Sequence, residues 1–307
     1  MPKTQWGVAL TMAAFVSACG GGGGAGRQSL PPPANQYYSS LSAIWAFSDR
    51  DVWAVGSRVL HFDGTAWSEV AGPGNNIALG ALWGLAPDDL WATAGTQIYR
   101  WRGAAAGWAE HKHAIPNPPD FNAIWVRSPE DYAVGGGAVN WEIIRVKGGT
   151  ISRAYTHDAT TGIWGASSDD AWAVAESGGF WHWTGAKWSK VTPGGGGDRP
   201  RSVWGFAASD VWAVGEQDTL QHWDGTTWTP TTIHADLGAV WGAASDDVWA
   251  AGDEGVVLHF DGKAWSESGT SEAVSFTSMS GSGPSSVWAL GYELSVAGNH
   301  GVIFRLK

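Results

Sequence analysis

The chain of 307 residues holds one cysteine, so no disulfide can form within it and stability must come from packing. Charge is scarce: Asp, Glu, Lys and Arg make up 15% of the residues, and the 18 Lys and Arg are scattered. A surface that tracks phosphates needs clustered cations, so a formal net charge of −11 argues against nucleic acid as a partner. No stretch shows a sustained helical period. In excess are tryptophan, 23 residues, and glycine, 44 residues. That pairing favours many short strands joined by tight turns.

Lys3 supplies a positive start, and Val8 to Val16 is an apolar stretch too short to span a bilayer as a helix. It ends in Val16-Ser17-Ala18-Cys19, which resembles the lipobox of bacterial lipoproteins. The resemblance implies cleavage before Cys19 and acylation of that residue, with residues 1–18 as signal peptide. It also implies a lipid anchor in the bacterial cell envelope. Gly20 in place of an aspartate points to the outer membrane. Residues 19–36 are the acylated cysteine and a tether: poly-Gly is flexible, and Pro31 to Pro33 is stiffer.

From Leu41 onward one pattern recurs. An apolar–Trp pair is followed by a polar turn, a stretch like Asp51-Val52-Trp53-Ala54-Val55-Gly56, and an apolar run ending in His or Arg. Asp-Gly-x-x-Trp closes the copy. The lead aromatics are Trp45, Trp83, Trp125, Trp164, Trp204 and Trp241, with a seventh copy beginning at Met279. A period near 40 with four short strands per copy predicts an all-β chain: a seven-bladed β-propeller of four-stranded antiparallel blades over residues 37–307. In the first copy the strands are expected at Ser42–Phe47, Asp51–Gly56, Arg58–Phe62 and Ala66–Val70. The last copy stops at its third strand. A segment within Arg27–Tyr38 is therefore expected to supply the fourth and close the ring.

Residues repeated in every blade read as architecture. The lead Trp and a second Trp (Trp45 and Trp53, Trp204 and Trp212, Trp241 and Trp249) are expected to pack between blades. Each buries roughly 150–250 Å². Lead and second aromatics stand eight residues apart in five copies, seven in the third (Tyr132) and nine in the seventh (Trp288). The third strand ends in a donor: His61, Arg100, Arg145, His182, His222, His259 or Arg305. Interchange of His with Arg excludes metal ligation there. It fits a hydrogen-bond latch to an acceptor near the turn bearing Asp51 and its equivalents.

Turns between first and second strands, and between third and fourth, are nearly constant and share one face. The other loops vary in length and composition, so their face is the candidate ligand surface. His111, His113, His157 and His300 are placed in those loops, as is His234. Trp141, Tyr155 and Tyr292 are non-repeat aromatics there. Asp120, Asp158 and Asp236 could add carboxylates, but the loops belong to different blades, and neither metal nor cofactor is expected.

The pattern best seen at Trp204–Trp228 and Trp241–Trp265 resembles the tryptophan-rich propeller repeats of lipoproteins predicted in myxobacteria and related bacteria. The turns Asp63–Trp67, Asp224–Trp228 and Asp261–Trp265 resemble a shortened Asp-box, a structural turn of sialidase-like propellers. Most members of the lipoprotein family have no assigned activity, so the first resemblance implies little chemistry. The first reading is a non-enzymatic binding or scaffold module with a protein or carbohydrate partner on the variable-loop face, touching the membrane through its anchor only. One alternative is a sialidase-like glycoside hydrolase, which would need an arginine cluster around Arg127 and Arg201. Another is an assembly factor for an envelope complex.

Overall fold

The computed structural model describes residues 28–29, 41–137, 140–177, 179–194, 199–216, 219–268, 274–295 and 298–307. Cys19, the leader, and the tether apart from Gln28 and Ser29 lie outside the described residues. The chain is a seven-bladed β-propeller, each blade a sheet of four antiparallel strands. Blade one is Leu41–Ser48, Asp51–Gly56, Val59–Phe62 and Trp67–Val70, running outward from the central channel. The next five blades repeat that order.

Blade seven takes three strands from the C-terminal region, Val274–Gly283, Ser286–Ser295 and Gly298–Arg305. Its outer strand is Gln28–Ser29, paired with Arg305 and Phe304. The ring is thus closed by an N-terminal strand, and the propeller begins inside the segment read as tether.

The core consists of seven buried clusters, one between each pair of neighbouring blades among the described residues. Second strands have both faces covered, which is why they read as near-continuous apolar runs. At the closure, Trp288 and Leu290 of blade seven pack on Ile44, Leu60 and Phe62 of blade one. Ser280 Oγ accepts the Ala46 backbone N–H at 3.0 Å across the same seam.

The tryptophans divide the work of packing. The second Trp of one blade meets aromatics on the outer strands of the next. Trp172 lies 4.9 Å from Trp223 and 5.0 Å from Trp228, and Trp212 lies 5.2 Å from Phe260. The Asp-Gly-x-x-Trp turn delivers that outer Trp. Asp63 Oδ1 accepts the N–H groups of Thr65 at 2.8 Å and Ala66 at 3.0 Å, while Gly64 turns the chain at φ +95°. The Thr65 hydroxyl and those two N–H groups hold Asp63 at a pKa of about 2.

The repeated polar residues form one motif. His222 Nε2 is 2.8 Å from Asp210 Oδ1, and its ring stacks on Trp212 at 4.1 Å. Blades one, four and six repeat this with His61, His182 and His259. In blade two Arg100 takes the place of His, donating to both Asp89 oxygens with its guanidinium over Trp91. The acceptor is thus the repeated aspartate itself. In blade seven Ser286 holds the aspartate position, and Arg305 donates instead to the Lys307 carbonyl.

Two sequence positions need correction. Strand register pairs Trp45 with Trp53 but Trp125 with Ala133, so Ala133, not Tyr132, holds the second-Trp position of blade three. The side chain of Arg145 is fully buried there, donating to Asp131 and to the Tyr132 carbonyl, with its guanidinium 5.2 Å from Trp125. In blade seven Trp288 pairs with Ser280, so the lead position is Ser280, one residue after Met279.

Candidate functional site

The two faces differ as the loops suggested. Backbone bonds join the variable loops to one another: Leu79 N–H to the Gly56 carbonyl at 2.8 Å, Phe121 N–H to the Gly95 carbonyl at 2.8 Å. On this face the channel opens into a cup of about 330 Å³. Its floor is made by three lead tryptophans that meet across the axis. Trp45 and Trp83 lie 4.9 Å apart, and Trp204 lies 6.1 Å from Trp83.

The mouth of the cup is set by β-bulges. In six of the seven inner strands the register slips at the residue three before the lead position. A bulge re-aims a side chain. Here the bulged residues are Ser42, Asn122, Thr161, Arg201, Gly238 and Thr277, and all line the cup. Sequence reasoning missed this ring, because a bulge leaves no mark on a period-two pattern. Its signal is a fixed offset from the lead Trp at which the residue is polar or Gly.

Arg201 is already paired. It contacts Glu216, and Asp253 is 3.7 Å away. Hydrogen bonds from Arg199 and Arg201 hold Glu216 below the usual carboxylate range. Arg127 sits at the other end of its inner strand, donating to Ser168 at 2.8 Å. Arg127 and Arg201 therefore do not converge, and the clamp a sialidase-like site requires is not formed by this pair.

Blade three carries the second feature of the face. Trp141 is 37% exposed and Tyr155 50% exposed, with ring centroids 6.4 Å apart. His157 stands edge-on to Tyr155 at 4.6 Å. The loop is pinned beneath them: Thr156 N–H donates to the Trp141 carbonyl at 2.8 Å, and its hydroxyl to the Asp158 carbonyl at 2.6 Å. His157 has φ +67°, a strained conformation for a residue with a side chain.

No protein-family model and no curated protein matches this chain. Solved structures do. One is YCF48 bound to D1 peptide, 12% identical, with a TM-score of 0.70 over 91% of this chain and 96% of that one. The WD40 propeller domain of Doa1 matches at 12% identity and TM-score 0.70, covering 92% and 97%. Virginiamycin B lyase from Staphylococcus aureus matches at 14% identity and TM-score 0.72, covering 92% and 99%. At these identities the likeness establishes the propeller fold and no more.

The remaining sequence candidates are dispersed. His111 is not in a loop. It ends the outer strand Trp108–His111 and packs between Trp91, at 4.6 Å, and Tyr132, at 5.7 Å. Burial, then the neighbouring His113 and Arg100, pushes its pKa down. His113 Nε2 lies 3.0 Å from the Thr96 carbonyl, and its ring stands against Phe121. Tyr292 and His300 lie in paired strands of an extended hairpin in blade seven, opposite Gly301 and Glu293, rather than in an open loop. The His300 side chain lies outside the described residues. Among the described candidates, Trp141, Tyr155 and His157 come together. Among the described residues no group of three His, Cys, Asp or Glu side chains could hold a metal ion.

Proposed function

We propose that this protein is a non-enzymatic binding or scaffold module, held in the bacterial envelope by a lipid on Cys19, which presents its variable-loop face to a glycan or protein. The observation that carries this reading is the exposed trio Trp141, Tyr155 and His157. Blade packing does not account for it, and its loop is held by hydrogen bonds and one strained residue. Strain of this kind persists where surroundings enforce it, and it concentrates at ligand sites. A large exposed aromatic pair suits stacking against a sugar face or an aromatic side chain.

A peptide ligand has a specific argument behind it: the similar propeller YCF48 was solved with a peptide bound. The experiment must therefore admit both ligand types. A photo-crosslinking residue at position 155 of the full chain, compared with one at Lys187 on the opposite face, reads the contact in intact cells. Crosslinks to one glycan or protein species from 155 and none from 187 are expected. Crosslinks from 187 alone would overturn the assignment of the face. Cys19→Ser is expected to release the protein from the membrane fraction. Function that survives this release favours a lectin, and function lost with it favours an assembly factor.

A further inference from the structure

The cup at the channel mouth is separate from the blade-three trio and has a chemistry of its own. Its rim offers three hydroxyls and one amide, from Ser42, Thr161, Thr277 and Asn122, carried by four different blades. Ser42, Asn122 and Thr277 are exposed. The Thr161 hydroxyl donates to the Pro200 carbonyl at 2.9 Å, which leaves its lone pairs to accept. The floor is three half-buried indoles, Trp45, Trp83 and Trp204. The one charged side chain among the described lining residues, Arg201, is offset by Glu216 and Asp253.

These features select among ligand classes. An anion would find the guanidinium already occupied. A lipid tail would leave the rim hydroxyls and amide without partners. A pyranose ring meets both requirements. Its C–H face packs on indole, and its hydroxyls donate and accept around the edge. A volume of about 330 Å³ lies at the small end of the range of roughly 300–1,000 Å³ typical of ligand sites. It suits a single ring rather than a chain threaded through the disc.

We propose that the cup binds the neutral terminal ring of a carbohydrate. The proposal rests on the variable face being the ligand face, and it does not require the trio on blade three to be occupied. Gly137, which follows the second strand of blade three, packs against the Asn122 side chain, and Trp141 lies four residues further on.

The test is equilibrium dialysis of the full chain in detergent against radiolabelled methyl glucoside, galactoside and mannoside, N-acetylglucosamine, and the acidic N-acetylneuraminate. Saturable binding of at least one neutral sugar is expected. Asn122→Ala with Thr277→Val should weaken it at least tenfold, and Lys187→Ala on the opposite face should leave it unchanged. If that pair lowers the melting temperature, Ser42→Tyr, which blocks the mouth, replaces it. Failure of every neutral sugar, indifference to the cup variants, or preference for N-acetylneuraminate would each overturn the proposal. Sensitivity to Trp141→Ala alone would transfer the sugar to the trio. Cup binding without any crosslink from position 155 would sink the role of the trio while leaving the cup in place.

Discussion

The indole of Trp125 fills the space where a β-carbon on Gly165 would stand, its ring carbons coming within 2.6 Å of that point. The same relationship joins Trp45 to Gly84, Trp164 to Gly205 and Trp241 to Gly281. In these four pairs the Gly after the lead position makes room for the Trp of the preceding blade, while in blade six Gly242 faces Phe206. Where the preceding lead is Ser280, blade one carries Ala46 instead. Where it is Trp83, which joins the floor of the cup, blade three carries Val126. Gly165→Ala is expected to destabilise by about 1–3 kcal/mol, the usual cost of overpacking. Gly283→Ala, which meets nothing within 4 Å, is the control and should be neutral. Thermal unfolding of the two variants side by side decides it, and equal melting temperatures would contradict the packing account.

His222→Ala should lower stability by about 1–3 kcal/mol, because it leaves Asp210 without its donor and Trp212 without its stacked ring. His222→Arg should recover part of the loss, since Arg100 performs the same task in blade two. Ligand binding at the variable face should change in neither variant. Loss of binding at an unchanged melting temperature would give the latch a functional role it is not assigned here.

The ring of blades, its closure and the latch were legible because each rests on residues repeated at fixed spacing. An aromatic is an unreliable marker of register in these blades. The better marker is the aspartate, which stands two residues before the second position in Asp51 to Trp53 and in Asp131 to Ala133 alike. By that measure Tyr132 holds the place of Val52, facing the neighbouring blade rather than its own latch. Their offset from Trp45 and Trp204 makes Ser42 and Arg201 equivalent in the sequence, but only strand pairing shows that a bulge turns both into the cup. His111 holds the place of Val70, the last residue of the outer strand in blade one, so the repeat itself puts it in a strand and not in a loop.

Asp131 gives a pH dependence. Burial acts to raise its pKa, but hydrogen bonds from Ser168 and Arg145 outweigh it and the pKa is lowered. A carboxyl depressed on folding contributes stability that is present above its unfolded pKa and lost as pH falls through the folded value. Asp131→Asn leaves the buried Arg145 without a counter-charge, so at neutral pH it should cost about 3–5 kcal/mol. The gap between wild type and variant should be widest near pH 7 and should shrink below about pH 4, the ordinary range of an unfolded aspartate. Parallel melting curves across that range would mean Asp131 contributes nothing by its charge.

Blade three tests whether Arg145 and Ala133 form a compensating pair. In the other blades with an arginine latch, the guanidinium lies over the blade's own second Trp, as Arg100 does over Trp91. In blade three that position is Ala133, and Arg145 moves inward to lie over the lead indole of Trp125. Arg145→His alone should leave a void and an unmatched Asp131. Ala133→Trp alone should collide with the buried guanidinium. Made together they restore the arrangement of blades four and five, so the double variant should be more stable than the sum of the two losses predicts. A coupling energy within the range of about 0.5–3 kcal/mol seen for residues in contact is expected. Additive losses would show that Arg145 is held by its bonds to the Tyr132 carbonyl and Asp131, independently of the space left by Ala133.

The closing strand gives the last prediction. Gln28 and Ser29 are only two residues, yet they complete the outer edge of blade seven. Without them the edge at Arg305 would be left open to pair with another chain. The direct loss is small: one or two backbone hydrogen bonds at a net of roughly 0.5–1.5 kcal/mol each. The ring amplifies it, because Trp288 of the same blade packs on Phe62 and Trp67 of blade one, so fraying of blade seven loosens the seam. A version starting at Arg27 should therefore melt several degrees above one starting at Leu30, and the shorter version should show concentration-dependent association in sedimentation. Equal melting temperatures and a monomeric short version would mean that the ring closes through the Trp288 packing alone.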